Sequence, residues 1–107
     1  IRLFCWIRTR PDIEPYAFSV PNDRKTNRIM GAILKHMGLK PGVSDICVAI
    51  PRGTFHGLFI ELKFGKNKAT QHQLTFIENM RSKGYHALVC IGYEAAKAAI
   101  EEYMSLN

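Results

Sequence analysis

Residues 42–73 read GVSDICVAIPRGTFHGLFIELKFGKNKATQHQ, and the pattern of this stretch decides the fold. Residues 45–50 (DICVAI) and 57–64 (GLFIELKF) are dense in β-branched, aromatic and aliphatic side chains, and the PRGTFHG between them carries turn-forming Pro and Gly. The spacing predicts two neighbouring strands, paired antiparallel. Charges interrupt that apolar pattern. Glu61 and Lys63 are two apart, so both side chains leave one face of their strand, while Ile60, Leu62 and Phe64 leave the other, which reads as an ordinary core face. Asp45 opens the preceding strand and, in a hairpin, lies beside the end of the strand that carries Glu61.

Two converging carboxylates repel each other unless a cation sits between them, and hard divalent ions such as Mg2+ take oxygen ligands of this kind. Each residue alone has a plainer reading. Asp45 suits a turn after Gly42 and Ser44, and Glu61 with Lys63 suits a weak surface pair. Against the second reading, Leu58, Phe59 and the neighbouring DICVAI mark an interior strand, and an acid and a base on one face of such a strand line a cleft more naturally.

Outward from this hairpin, residues 70–84 (TQHQLTFIENMRSKG) predict a helix with Thr70 as N-cap and Gly84 as its stop. HALVCIG after it is a further buried strand, and YEAAKAAIEEYM a closing helix. Upstream, a helical stripe of Ile29, Ile33, Leu34 and Met37 runs from Asp23 or Arg24 to Met37 and ends at Gly38. PYAFSVPN is a brief strand, and IRLFCWIRTR, with Leu3, Trp6, Ile7 and Arg10 at helical spacing, forms the last turns of a helix stopped by Pro11. The order α-β-α-β-β-α-β-α predicts an α/β fold, a mixed β-sheet flanked by helices.

Gln73 falls on the apolar stripe of its helix, four residues before Ile77 and seven before Met80. Two readings compete there: a polar group aimed at the cleft, or a capping box in which Gln73 bonds back to Thr70. His36, His56, His72 and His86 have no metal-ligand spacing, and GKNKAT lacks the ending of a phosphate-binding P-loop.

The 107 residues, 47% hydrophobic and 22% charged, suit one domain with one core. Fifteen Lys and Arg against nine Asp and Glu give a net charge of +6, which attracts polyanions, nucleic acid or an anionic membrane surface first among them. The cations Arg24, Lys25, Arg28, Lys35, Lys40, Arg52, Lys63, Lys66 and Lys68 gather in the middle of the sequence. Asn22, Arg24, Lys25, Lys40, Arg52, Lys66 and Lys68 are candidate phosphate contacts. Cys5, Cys47 and Cys90 stand far apart among apolar neighbours and read as reduced core thiols of a cytosolic protein. No apolar run reaches the length of a membrane span.

An Asp, then Glu-x-Lys on the next strand, then a helix with an inward polar residue resembles the PD-(D/E)XK nucleases, a restriction-endonuclease-like fold. Within that superfamily the sequence looks like a VRR-NUC domain of the standalone phage or bacterial type. The matching residues are Pro21-Asn22, residues 34–45 (LKHMGLKPGVSD), residues 56–63 (HGLFIELK), Gln73, and residues 84–103 (GYHALVCIGYEAAKAAIEEY). The resemblance implies a cytoplasmic, divalent-metal-dependent DNA endonuclease acting on branched DNA such as Holliday junctions, as a homodimer. Asp45 and Glu61, with the Leu62 carbonyl, would hold Mg2+ or Mn2+; Lys63 would position the attacking water; Gln73 would orient Lys63 or that water. There are two departures. Ser44 replaces a Pro of the family, and the family's further metal-site Glu, just before the LFxW found here at Leu3 to Trp6, would fall before Ile1. The expectation is therefore a single domain, 1–107, whose first helix starts upstream, or a member without that ligand, for which Glu14 is a poor substitute. A non-catalytic nucleic-acid-binding module of the same fold, and a small interaction domain with surface ion pairs, are the alternatives.

Overall fold

The computed structural model describes residues 2–21 and 28–107. Helix α1 (Arg2–Ile7) leads through a short 3-10 turn into strand β1 (Ala17–Ser19). Helix α2 (Arg28–His36) follows; the start expected for it at Asp23 or Arg24 lies outside the described residues. The hairpin predicted from residues 45–64 is present as β2 (Ile46–Val48) and β3 (Leu58–Lys63), followed by α3 (Gln71–Ser82), β4 (His86–Ile91) and α4 (Tyr93–Met104). The strands form one sheet in the order β1-β2-β3-β4. The β1–β2 and β2–β3 pairs are antiparallel and β3–β4 is parallel, so the sheet is mixed as the element order implied.

The register assigns the faces. Ile46 pairs with Ile60 and Ile60 with Leu88, and this row lies on the same face as Val48, Leu58 and Cys90. Those residues form the main core together with Leu3 and Ile7 of α1 and Ala96, Ile100 and Tyr103 of α4. Tyr103 closes the core by donating its hydroxyl to the Ile50 carbonyl at 2.6 Å, which satisfies both groups in a dry setting. Phe18, Cys47, Phe59 and Ala87 occupy the other face. Helix α3 covers part of it, with Phe76 edge-on to Phe59 and the Arg81 guanidinium donating to the Ala87 carbonyl. By the same alternation, Asp45, Glu61 and Lys63 belong to the α3 face.

Two sequence readings need correction. Phe64 is 58% exposed, because β3 ends at Lys63 and the chain turns away before Phe64 can reach the core. Cys5 is exposed, because a six-residue helix that buries Leu3 and Ile7 presents the intervening position outward; Cys47 and Cys90 are buried as expected.

The connector from α2 to β2 is clamped to α3. Gly42 has φ +85, and a Cβ there would lie 2.3 Å from the His72 carbonyl oxygen, so only glycine permits this approach. Gly65, at φ +60, has open space around it and serves as the comparison. Gly42→Ala is expected to cost at least about 1–3 kcal/mol in urea unfolding, and clearly more than Gly65→Ala, which carries only the backbone penalty. Equal losses at the two positions would show that the clamp is absent.

Candidate active site

Asp45 precedes β2 by one residue, and the pairing of Ile46 with Ile60 continues so that Asp45 stands opposite Glu61. Asp45 is held at several points. Its Oδ2 accepts from the Leu62 amide at 2.8 Å, and its backbone carbonyl accepts from the Val20 amide at 2.7 Å. Leu62 is free to donate to a side chain because β2 has ended and no strand backbone remains opposite it. In a strand the carbonyl points the same way as the amide of its residue, so the Leu62 carbonyl also faces the Asp45 side.

Glu61 is the buried member, 1% exposed, and Lys63 lies beside it with Nζ 3.5 Å from Glu61 Oε2. Glu61 Oε1 has no hydrogen-bond partner among the described residues. Loss of water pushes the Glu61 carboxyl up to about 8; the adjacent Asp45 adds to the rise and the Lys63 ammonium opposes it. Without a cation, burial therefore favours the protonated form of Glu61. Ser44, the departure from the family's Pro, is fully buried, and its hydroxyl is also unpartnered among the described residues.

These observations test whether a divalent cation fits. A buried carboxylate oxygen without a hydrogen-bond partner among the described residues, a second carboxylate that accepts from the Leu62 amide at Oδ2, and a carbonyl turned the same way are all hard oxygen donors, the kind Mg2+ prefers. No group of three or more His, Cys, Asp or Glu side chains meets among the described residues. A two-carboxylate set suits Mg2+, which commonly keeps several waters and takes one or two carboxylates. Beside the pair, a cleft of about 430 Å³ is lined by Leu3, Phe4, Ser19, Asp45, Leu62 and Phe64 among others. The start of α1 thus borders Asp45 from the opposite sheet face, and Glu61, Lys63 and Gln73 do not line this cleft. Glu14 lies exposed in the 3-10 turn after α1 and shows no contact with the pair.

Gln73 is buried, and both halves of the capping box are formed. Its Oε1 accepts from the Thr70 amide at 2.8 Å, and the Thr70 hydroxyl accepts from the Gln73 amide at 3.3 Å. Gln73 makes no bond to Lys63, and only its Nε2 is left to donate toward a ligand. Lys66 and Lys68 are exposed in the loop that follows β3, and Lys40 is exposed in the connector that leads to Asp45, so these three sit on the segments flanking the carboxylates. Arg52 does not join them. It lies at the opposite end of the hairpin, donating to the Pro51 and Met104 carbonyls. Asn22, Arg24 and Lys25 lie outside the described residues. Gly42 was missed as a positioning residue: Pro41-Gly42 announces a turn, but its contact with α3 has no local signal.

The sign of the Glu61 shift fixes a stability trend. A carboxyl raised from 4.5 to about 8 on folding stabilises the fold fully below the lower value, and that contribution is lost as pH rises toward the upper one. His86, lowered mainly by burial, works in the opposite direction below its ordinary value of 6.5. The difference in Tm between the metal-free protein and Glu61→Gln removes the His86 contribution. It is expected to move against the wild type as pH rises from about 5 to 8. Parallel pH profiles would show that Glu61 titrates normally.

The VRR-NUC domain profile matches residues 17–94 of the chain, which includes Asp45, Glu61, Lys63 and Gln73. A solved structure described as a VRR_NUC domain protein superposes with a TM-score of 0.88 at 30% sequence identity, covering 99% of this chain and 84% of that one. No curated protein matches the chain. No helix among the described residues is long and apolar enough to cross a membrane. With the mixed sheet, its flanking helices and the Asp45–Glu61–Lys63 arrangement at the end of the central hairpin, the chain belongs to the VRR-NUC domain family, a nuclease-type domain.

Proposed function

We propose that the chain is a PD-(D/E)XK-type endodeoxyribonuclease that uses Mg2+ or Mn2+ to hydrolyse phosphodiester bonds in branched DNA, Holliday junctions included, and works as a homodimer. The observation that carries this reading is the buried Glu61 carboxyl, with one oxygen unpartnered among the described residues, Asp45 beside it and Lys63 3.5 Å away. Asp45, Glu61 and the Leu62 carbonyl would hold the cation. When bound, the cation supplies Lewis-acid stabilisation of charge on the phosphoryl group and lowers the pKa of water.

The protein's own groups do the rest. Lys63 has 16% of its side chain exposed, and its ammonium can turn from Glu61 toward an incoming phosphate oxygen or hold the attacking water in line. Gln73, fixed at its Oε1 by the helix cap, offers Nε2 as an orienting donor. Lys40, Lys66 and Lys68 would bind flanking phosphates, and each such contact steepens the salt dependence of binding. Branched DNA and the homodimer are carried by the resemblance to standalone VRR-NUC domains, because junction cutting suits paired active sites.

One observation favours the alternative, a nucleic-acid-binding module without turnover: only two acidic side chains meet at the site among the described residues. A labelled panel of four-way junction, flap, single strand and linear duplex, incubated with Mg2+, Mn2+ or EDTA, separates the two readings. Paired, metal-dependent incisions in the junction are expected, and Lys63→Ala should lower their rate about 10²-fold or more while leaving binding nearly intact. Cleavage by Lys63→Ala at the wild-type rate would remove Lys63 from the mechanism, and binding with no cutting in either metal would establish the module.

A further inference from the structure

Phe64 follows Lys63 directly, yet its ring is largely in water and stacks on no other ring among the described residues. Two adjoining recesses meet at it and share Leu3 and Leu62 as walls. The first is the cleft that runs to Asp45, and the second, of about 390 Å³, continues to Arg2 and Tyr93. Both have the size of small-molecule sites, ~300–1,000 Å³. The floor is aliphatic, with Leu3 buried and Leu62 half-buried. The far wall is a stack in which the Arg2 guanidinium lies over the Tyr93 ring, 4.3 Å from its centre. Glu94 stands on the rim, 4.0 Å from Arg2, and both are mostly exposed.

The surroundings select the occupant. An aromatic ring, an aliphatic floor and a guanidinium stacked on a second ring suit a planar ring system. Cations border it as well: Phe64 lies between Lys63 and the exposed Lys66 and Lys68 in sequence, and Arg2 is exposed at the other end. A planar ring that carries anionic groups beside it is a nucleotide, and aromatic faces interleaved with cations are how proteins hold unpaired bases. In an intact duplex every base is stacked and paired, so none is offered to the recess. A base at a branch point or in a single strand lacks a neighbour and turns out at less cost.

We propose that the recess between Phe64 and the Arg2–Tyr93 stack takes one unstacked nucleobase of the DNA, and that Phe64 thereby sets a preference for branched over linear DNA. This rests on the nuclease reading given above and names the element that selects its substrate. Asp45 lines the recess and Phe64 is the residue after Lys63, so the base seat and the carboxylate pair lie on the two sides of one strand end. A nucleotide held by its base at Phe64 has its backbone beside Lys66 and Lys68, the cations already placed on the flanking loop.

The test is binding of a four-way junction, a flap and a linear duplex to the full chain in EDTA, so that it is read without metal or turnover. The wild type is expected to bind the branched DNAs more tightly than the duplex, and Phe64→Ala should lower that ratio about 10-fold. Phe64→Trp should keep the ratio, whereas Phe64→Leu, apolar but without a ring, should lose it. Tyr16→Ala, which removes another exposed ring at the end of β1 far from Asp45, should leave it unchanged. A 5-iododeoxyuridine at the branch should photocross-link to Phe64 or Tyr93, located by mass spectrometry. No preference for branched DNA in the wild type, or an equal ratio in Phe64→Ala, would overturn the proposal. So would a change in sedimenting mass in Phe64→Ala, which assigns the ring to a contact between copies. Metal-dependent cutting that persists without a Phe64-dependent preference leaves the nuclease reading standing and removes the base seat; a Phe64-dependent preference without cutting does the reverse.

Discussion

The Glu61 carboxyl is withdrawn from water beside Asp45, with Lys63 3.5 Å from one oxygen and no described group bonded to the other. An ionised carboxylate in such a place costs several kcal/mol unless it is paired and fully hydrogen-bonded. One lysine, itself partly solvated and bonded to a single oxygen, does not supply that. The fold therefore holds Glu61 as an acid near neutral pH, and a cation that displaced the proton would meet a site already shaped for it. The energetic strain at this end of the sheet and its chemical potential have the same origin.

Much of the architecture serves to keep that pair in place. The register of β2 on β3 sets Asp45 opposite Glu61, the Leu62 amide fixes the Asp45 carboxylate, and the Val20 amide ties the Asp45 backbone to the end of β1. On the far side, Gly42 brings the connector against the first turn of α3, where the capping box orders Gln73. Two elements far apart in sequence are thus locked to one short loop. The main core of α1, α4 and the opposite sheet face lies behind this assembly and supplies the rigid backing that a preorganised site needs.

The sequence made the hairpin, the element order and the Asp45–Glu61–Lys63 cluster legible because each depends on local signals. Period-two alternation assigns Glu61 and Lys63 to one face, and the short PRGTFHG loop makes the strands neighbours. Gln73 was legible only as two competing readings, since a capping box and an inward polar residue share one spacing; the hydrogen bonds to Thr70 show that the first is formed. Arg52 was grouped with the other cations on sequence position alone. The hairpin carries it to the opposite end from Asp45, a separation invisible in linear order. The exposure of α2 was equally hidden, because a helical stripe of Ile and Met looks the same whether it packs on its own domain or awaits another surface.

Calorimetric titration of Mn2+ into the protein at pH 7, in two buffers of different ionisation enthalpy, tests most directly whether the Glu61 site is built for a cation. A ligand that replaces the proton on a carboxyl raised to about 8 must release it. The account predicts binding with the release of about one proton per chain, falling to near zero for Glu61→Gln along with much of the affinity. Binding without proton release, or equal binding by the wild type and Glu61→Gln, would contradict it.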